Sequence, residues 1–151
     1  MEPIVEQIAA ATQTTLENIS VADGYHYDLQ CVRSKSSDFA DVMATEGTVL
    51  LAQVGLEKSS DGPAMVDTYN AGFVIEGFVI DSAGTAIDTK ANRLYADIAK
   101  ALAIDTTRGG LAIQTIIQSV NIFHTENNFI GVDIEININY RTKYGDPYTG
   151  A

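Results

Sequence analysis

The sequence predicts an α+β domain, a mainly antiparallel or mixed β-sheet of about five strands flanked by two main helices. Three observations carry that expectation. From Ile130 to Tyr140 apolar and polar residues alternate without a break, the period of a strand with one buried face. Two other segments, 3–19 and 87–103, repeat apolar residues every three or four positions, the period of an amphipathic helix. The resulting order is helix, three strands, helix, two strands, and strands that cluster instead of alternating with helices pair mostly antiparallel.

Each element has a local reason. In the first helix Val5, Ile8, Ala9, Thr12, Leu16 and Ile19 form the stripe, Pro3 suits the first turn, and Glu2 and Glu6 suit the positive end of the dipole. The ADGY stretch at 22–25 is a turn. Tyr27, Leu29 and Cys31 then alternate with Asp28, Gln30 and Val32 as a half-buried strand. Residues 34–46 lack periodicity and read as a loop. Residues 48–57 give a second strand, with Leu50, Ala52, Val54 and Leu56 on one face. The segment 58–70 reads as a second long loop, opened by KSSDGPA with an Asp-Gly-Pro turn. GFVIEGFVID at 72–81 is apolar on both faces, as a central strand covered twice would be.

In the second helix Ala91, Leu94, Tyr95, Ile98, Ala101 and Leu102 share a face, Asp88 or Thr89 can cap the start, and DTTRGG at 105–110 ends it. Residues 111–123 fit a helix through Ile113, Ile116, Ile117 and Val120, and a strand through Ile116, Gln118, Val120 and Ile122. Their β-branched content favours the strand. HTENN at 124–128 is a turn. The last strand sets Ile130, Val132, Ile134, Ile136, Ile138 and Tyr140 against Asp133, Glu135, Asn137, Asn139 and Arg141.

The 151 residues suit one domain, and folding at that size removes about two thirds of the unfolded chain's surface from water. Apolar residues make up 46% and charged residues 19%, so the chain can build a core. Twenty acids against nine bases give a net charge of −11, which argues against holding nucleic acid or anionic lipid through basic contacts. Cys31 is the one cysteine, so no internal disulfide and no cysteine-rich metal site is expected. The opening residues have neither a basic segment nor a long apolar run, and no stretch reaches the roughly 18 apolar residues of a membrane helix. No membrane association is expected, the NIS sequon at Asn18 reads as chance, and a reducing cytoplasm is the expected site of synthesis.

Chemistry-bearing patterns are scarce. His26 and His124 are the two histidines, and neither sits in a spaced ligand cluster. Cys31 and His26 fall on opposite faces of one strand by alternation, so they do not form a nucleophile–base pair. No G-x-S-x-G elbow and no G-x-x-x-x-G-K loop occurs, and RGG at 108–110 reads as a helix stop. Asp38, Asp41 and Glu46 lie together, as do Asp133 and Glu135; paired carboxylates can do acid–base work, but twenty acids produce such pairs as solvated surface. No catalytic residue, metal or cofactor is expected, and the chain does not read as an enzyme.

The stretches IVEQIAAATQTTLENI, GYHYDLQCVRS, NRLYADIAKALAIDTTRGGLA and VDIEININYRTKYGDPY, in that order, resemble the tail terminator, or tail completion, proteins of long-tailed bacteriophages. The resemblance covers most of the chain and is weakest over 34–70. It implies a structural virion protein, assembled in the host cytoplasm and placed at the tail and neck. It implies a hexameric ring that caps the tail tube, ends its polymerisation and meets the head connector or neck protein. Its partners would be further copies of itself, the major tail tube protein and that connector, and genome DNA would pass through the lumen without specific binding. An acidic ring suits passage of a polyanion. The alternatives are a neck adaptor or head-completion protein on the portal side, or a small acidic enzyme.

Two contact regions are expected. Residues 1–142 form the domain and 143–151 an extension, because alternation stops near Arg141, Gly145 frees the backbone, and Pro147 donates no hydrogen bond. Such a segment leaves the domain or lies across its edge. Tyr140, Arg141, Lys143, Tyr144, Asp146, Pro147 and Tyr148 are the expected subunit or partner contacts, with the tyrosines supplying flat apolar area and a polar tip. The loops at 34–46 and 58–70 are expected to contribute further contacts through Asp38, Phe39, Asp41, Met65 and Tyr69.

Overall fold

The computed structural model describes residues 1–33, 46–59, 62–81, 84–124 and 129–151. It is an α+β fold in which two helices pack against a mixed, curled sheet. Helix α1 spans Ile4–Glu17 and α2 spans Ile87–Ile104. The strands are β1 (Gln30–Arg33), β2 (Thr48–Ser59), β3 (Val66–Ile80), β4 (Gln114–His124), β5 (Phe129–Lys143) and β6 (Asp146–Gly150). Their order is β1-β2-β3-β5-β4, with β6 on β5. Among the described strands, β1 and β2 pair parallel and the other pairings are antiparallel.

The core lies on one face of this sheet. Strand β5 supplies Ile130, Val132, Ile134, Ile136, Ile138 and Tyr140, the six inward positions its alternation predicts. Each such side chain contributes about 1.5–3 kcal/mol by leaving water. Ala71, Phe73, Ile75 and Val79 of β3 join them, and Ile4, Ile8, Ala9 and Leu16 of α1 and Ala91, Leu94, Ile98, Ala101 and Leu102 of α2 close the layer. Gly77 admits α2: a Cβ there would stand 2.9 Å from Leu94 Cδ2 and 3.1 Å from Val49 Cγ1. The segment 111–123 is indeed strand over its length from Gln114.

Several local expectations are corrected. The first strand is confined to Gln30–Arg33, because Ser20–Leu29 is held instead by a 3-10 turn at Val21–Asp23 and by side-chain anchors. The residue capping the start of α2 is Ala86, which offers no side-chain hydrogen bond; Asp88 instead accepts a hydrogen bond from the Thr89 N–H. The expected face Leu50–Ala52–Val54–Leu56 is broken. Val49 and Leu51 face the helices, and Leu50 and Ala52 face away. Val54 is an extra residue in the ladder, a bulge that returns Leu56 to the helix side beside Ala71. The expected loop at 58–70 is cut back at both ends: β2 runs on to Ser59 and β3 begins at Val66. A second bulge, at Gln118, sits between Ile117 and Ser119 of β4. The two bulges flank one cross-sheet row, Gln53–Phe73–Ile136–Ile117, where they add twist on both sides.

Candidate interface at the distal end of the sheet

The C-terminal residues do not leave the domain. Strand β5 continues past Arg141 to Lys143, turns through Tyr144 and Gly145 (φ 72°), and β6 folds back on it, pairing Thr142 with Gly150 and Lys143 with Asp146. Strand β6 lies along the β5 edge beyond Asn139, where β4 pairing stops. The Ala151 N–H donates to the Arg141 carbonyl at 3.3 Å, and Gly150 approaches Ile4 of α1. Pro147 is tolerated because β6 is a short edge strand.

Asp67 anchors this hairpin. Its side chain is buried at the start of β3, accepts the Gly145 N–H at 2.8 Å, and meets Lys58 Nζ at 2.8 Å. The Lys58 hydrogen bond, seconded by the Gly145 N–H, holds the Asp67 carboxyl below the usual aspartate range. Lys58 also lies over the Tyr144 ring at 5.9 Å, and the Tyr144 N–H donates to the Met65 carbonyl at 3.3 Å. Asp146 accepts the Tyr148 N–H at 3.0 Å, and its carboxyl is held low first by the Thr149 side chain.

Three large apolar or aromatic side chains of this assembly are exposed. Met65 is 79% exposed, Tyr144 68% and Tyr148 46%. Met65 sits at φ 67°, a left-handed conformation that side chains rarely adopt. Pro147 and Lys143 are exposed and Arg141 and Asp146 are half-buried. Tyr140 is not at the surface: it is buried, and the half-buried Tyr69 stacks on it at 5.2 Å with 16° between planes. Burial, and then Tyr69, pushes the Tyr140 hydroxyl up to about 12. Asp38, Phe39 and Asp41 lie outside the described residues.

Elsewhere the ionisable groups hold the fold. Asp97 on α2 is buried; it accepts the backbone N–H groups of His26 and Tyr27 at 2.9 and 3.0 Å and faces His26 Nδ1 at 3.2 Å. Cys31 is buried, and its thiol is pushed up to about 12, first by desolvation. Arg108 is buried and donates to the Leu102 and Asp105 carbonyls and to Thr15 Oγ1, closing the end of α2 against α1. On the face away from the helices Glu76 pairs across the ladder with Asp133. Desolvation raises both carboxyls first; the Asp133 carboxylate then adds to the rise at Glu76, and that of Glu135 to the rise at Asp133. Among the described residues no group of three or more His, Cys, Asp and Glu side chains could hold a metal ion.

Sequence reasoning missed Asp67 and Asp97. Asp67 meets Gly145, and Asp97 meets His26 and Tyr27, across about 70 or more residues, and the signal of each, an acid inside an otherwise buried strand or helix face, is weak. No protein-family model matches the chain, and no curated protein matches it either.

Proposed function

We propose that this chain is a ring-forming terminator of a long bacteriophage tail. It sits on the end of the tail tube, stops polymerisation and offers its other side to the head connector. The observation that carries this reading is the anchored hairpin. Tyr144, Tyr148 and Met65 are large side chains left outside on a backbone fixed by Asp67 and by β6 pairing. Exposed apolar area on a rigid support suits a protein contact, because the contact immobilises little that was free before. The net charge of −11 suits a ring through which DNA passes without sticking.

The proposed ring is a hexamer. Purified tail tubes are mixed with the wild-type chain, with a chain ending after Thr142, and with a Tyr144→Ser, Tyr148→Ser variant. Wild type co-sediments with tubes and stops their growth, whereas both altered chains stay folded and fail. Capping by the doubly substituted chain would sink the hairpin reading. Binding to emptied heads instead of tubes would move the protein to the portal side as a neck adaptor.

A further inference from the structure

We infer that a second copy of this chain adds its β2 strand, Ala52–Lys58, to the outer edge of β4, so that the sheet runs on from subunit to subunit. Both edges are open: among the described residues β1 covers β2 only as far as Leu51, and β4 pairs with β5 alone. Gln53–Lys58 is exposed throughout.

Strand β4 is unguarded in composition. Its sequence, QTIIQSVNIFH, has no lysine, arginine, acid or proline in 11 residues, and Ile116 and Ile122 are exposed. Monomeric proteins protect a long edge with charge or proline; among the described residues the guard on β4 is the bulge at Gln118. In a chain of net charge −11 this uncharged strip is where two copies approach with least repulsion.

Strand direction selects β2 of another copy as the occupant. From β2 through β3 and β5 to β4 each neighbour is antiparallel, so a rotated copy placed beyond β4 presents its β2 antiparallel to it. The same chain then carries donor and acceptor, and the contact is head-to-tail, the kind that closes into a ring. Side chains match as well. A groove of about 300 Å³ runs between α2 and β4, lined by Leu102, Ala103, Thr106, Thr115 and Ile117. It opens on the helix side of the sheet. The Val54 bulge turns Leu56, 46% exposed, to that same helix side. In a continued sheet Leu56 of one copy therefore enters the groove of the next, while backbone pairing supplies the remaining contact.

This inference rests on the ring-forming reading above and assigns its subunit contact. Native mass spectrometry and amide exchange are run on the wild-type chain at high and low concentration, and on Leu56→Lys and Ala103→Arg. Both substitutions are at exposed positions, and far-ultraviolet dichroism checks that each variant is folded. The wild-type chain forms a closed oligomer with slowed exchange at both Gln114–Ser119 and Ala52–Lys58, and each substitution returns it to monomer. A wild-type chain that stays monomeric at high concentration overturns the inference, as do folded variants that assemble unchanged. A ring with both edges protected that fails to cap tubes leaves the pairing standing and removes the tail function; capping by rings with unprotected edges does the reverse.

Discussion

Asp67 and Gly145 are 78 residues apart in the chain and joined by a 2.8 Å hydrogen bond from the Gly145 N–H to the Asp67 carboxylate. That bond, with the Lys58 ion pair behind it, makes the C-terminal residues a structured part of the sheet.

Asp67→Ala is expected to loosen the hairpin before the domain. Amide exchange at Gly145 and through β6 should speed up, with the β5 amides between Ile130 and Ile138 unchanged. Acid should act likewise. Because the folded Asp67 carboxyl titrates below its unfolded value of about 3.9, its contribution is present above that value and is lost as pH falls through the lowered one. Hairpin exchange that is flat through that acid range would remove this account.

Asp97→Ala leaves two backbone N–H groups without their acceptor and should cost about 2–3 kcal/mol in urea unfolding. Asp97→Asn keeps an acceptor oxygen and should cost less. His26→Ala should cost least, since its imidazole is half exposed and the N–H contacts survive. Equal losses for the three variants would contradict the clamp.

Arg108→Ala should destabilise by about 2–3 kcal/mol, through the loss of hydrogen bonds to the Leu102 and Asp105 carbonyls and to Thr15. Arg108→Lys should recover only part, because a point ammonium cannot reproduce the planar fork that reaches both carbonyls and α1 together. Full recovery by lysine in denaturant titrations would show that charge alone suffices.

Glu76→Gln should stabilise the protein at neutral pH. The folded Glu76 carboxyl is raised, first by desolvation and then by Asp133, so ionising it weakens the fold. Stability from this site therefore falls as pH rises from the unfolded value of about 4.3 through the raised folded one. The gain on substitution should be largest above that window and vanish below it. A thermal midpoint difference independent of pH would exclude the electrostatic cause.

Periodicity alone locates α1, α2 and the buried face of β5, since each needs only neighbours in sequence and one burial direction. It also places β4 as strand despite a competing helical spacing. It fails at β2, where Val54 shows why: a bulge is chosen by the paired strand, and one inserted residue reverses which side chains meet the core, as Gln118 does in β4. The exposed Tyr144 and Tyr148 are legible as interface chemistry from composition, but Tyr140 and Tyr69 are not separable from them, because stacking across β3 and β5 is a register property.

Local spacing and turn chemistry thus settle the α+β class, the two helices and the long final strand, because those depend on side chains three, four or two positions apart. Tertiary structure alone decides that the tail returns as β6, that Asp67 and Asp97 become buried anchors, and that, among the described residues, β2 beyond Leu51 and the outer side of β4 stay unpaired. Those outcomes arise from pairings across tens of residues, which local sequence does not encode but packing against one curled sheet selects.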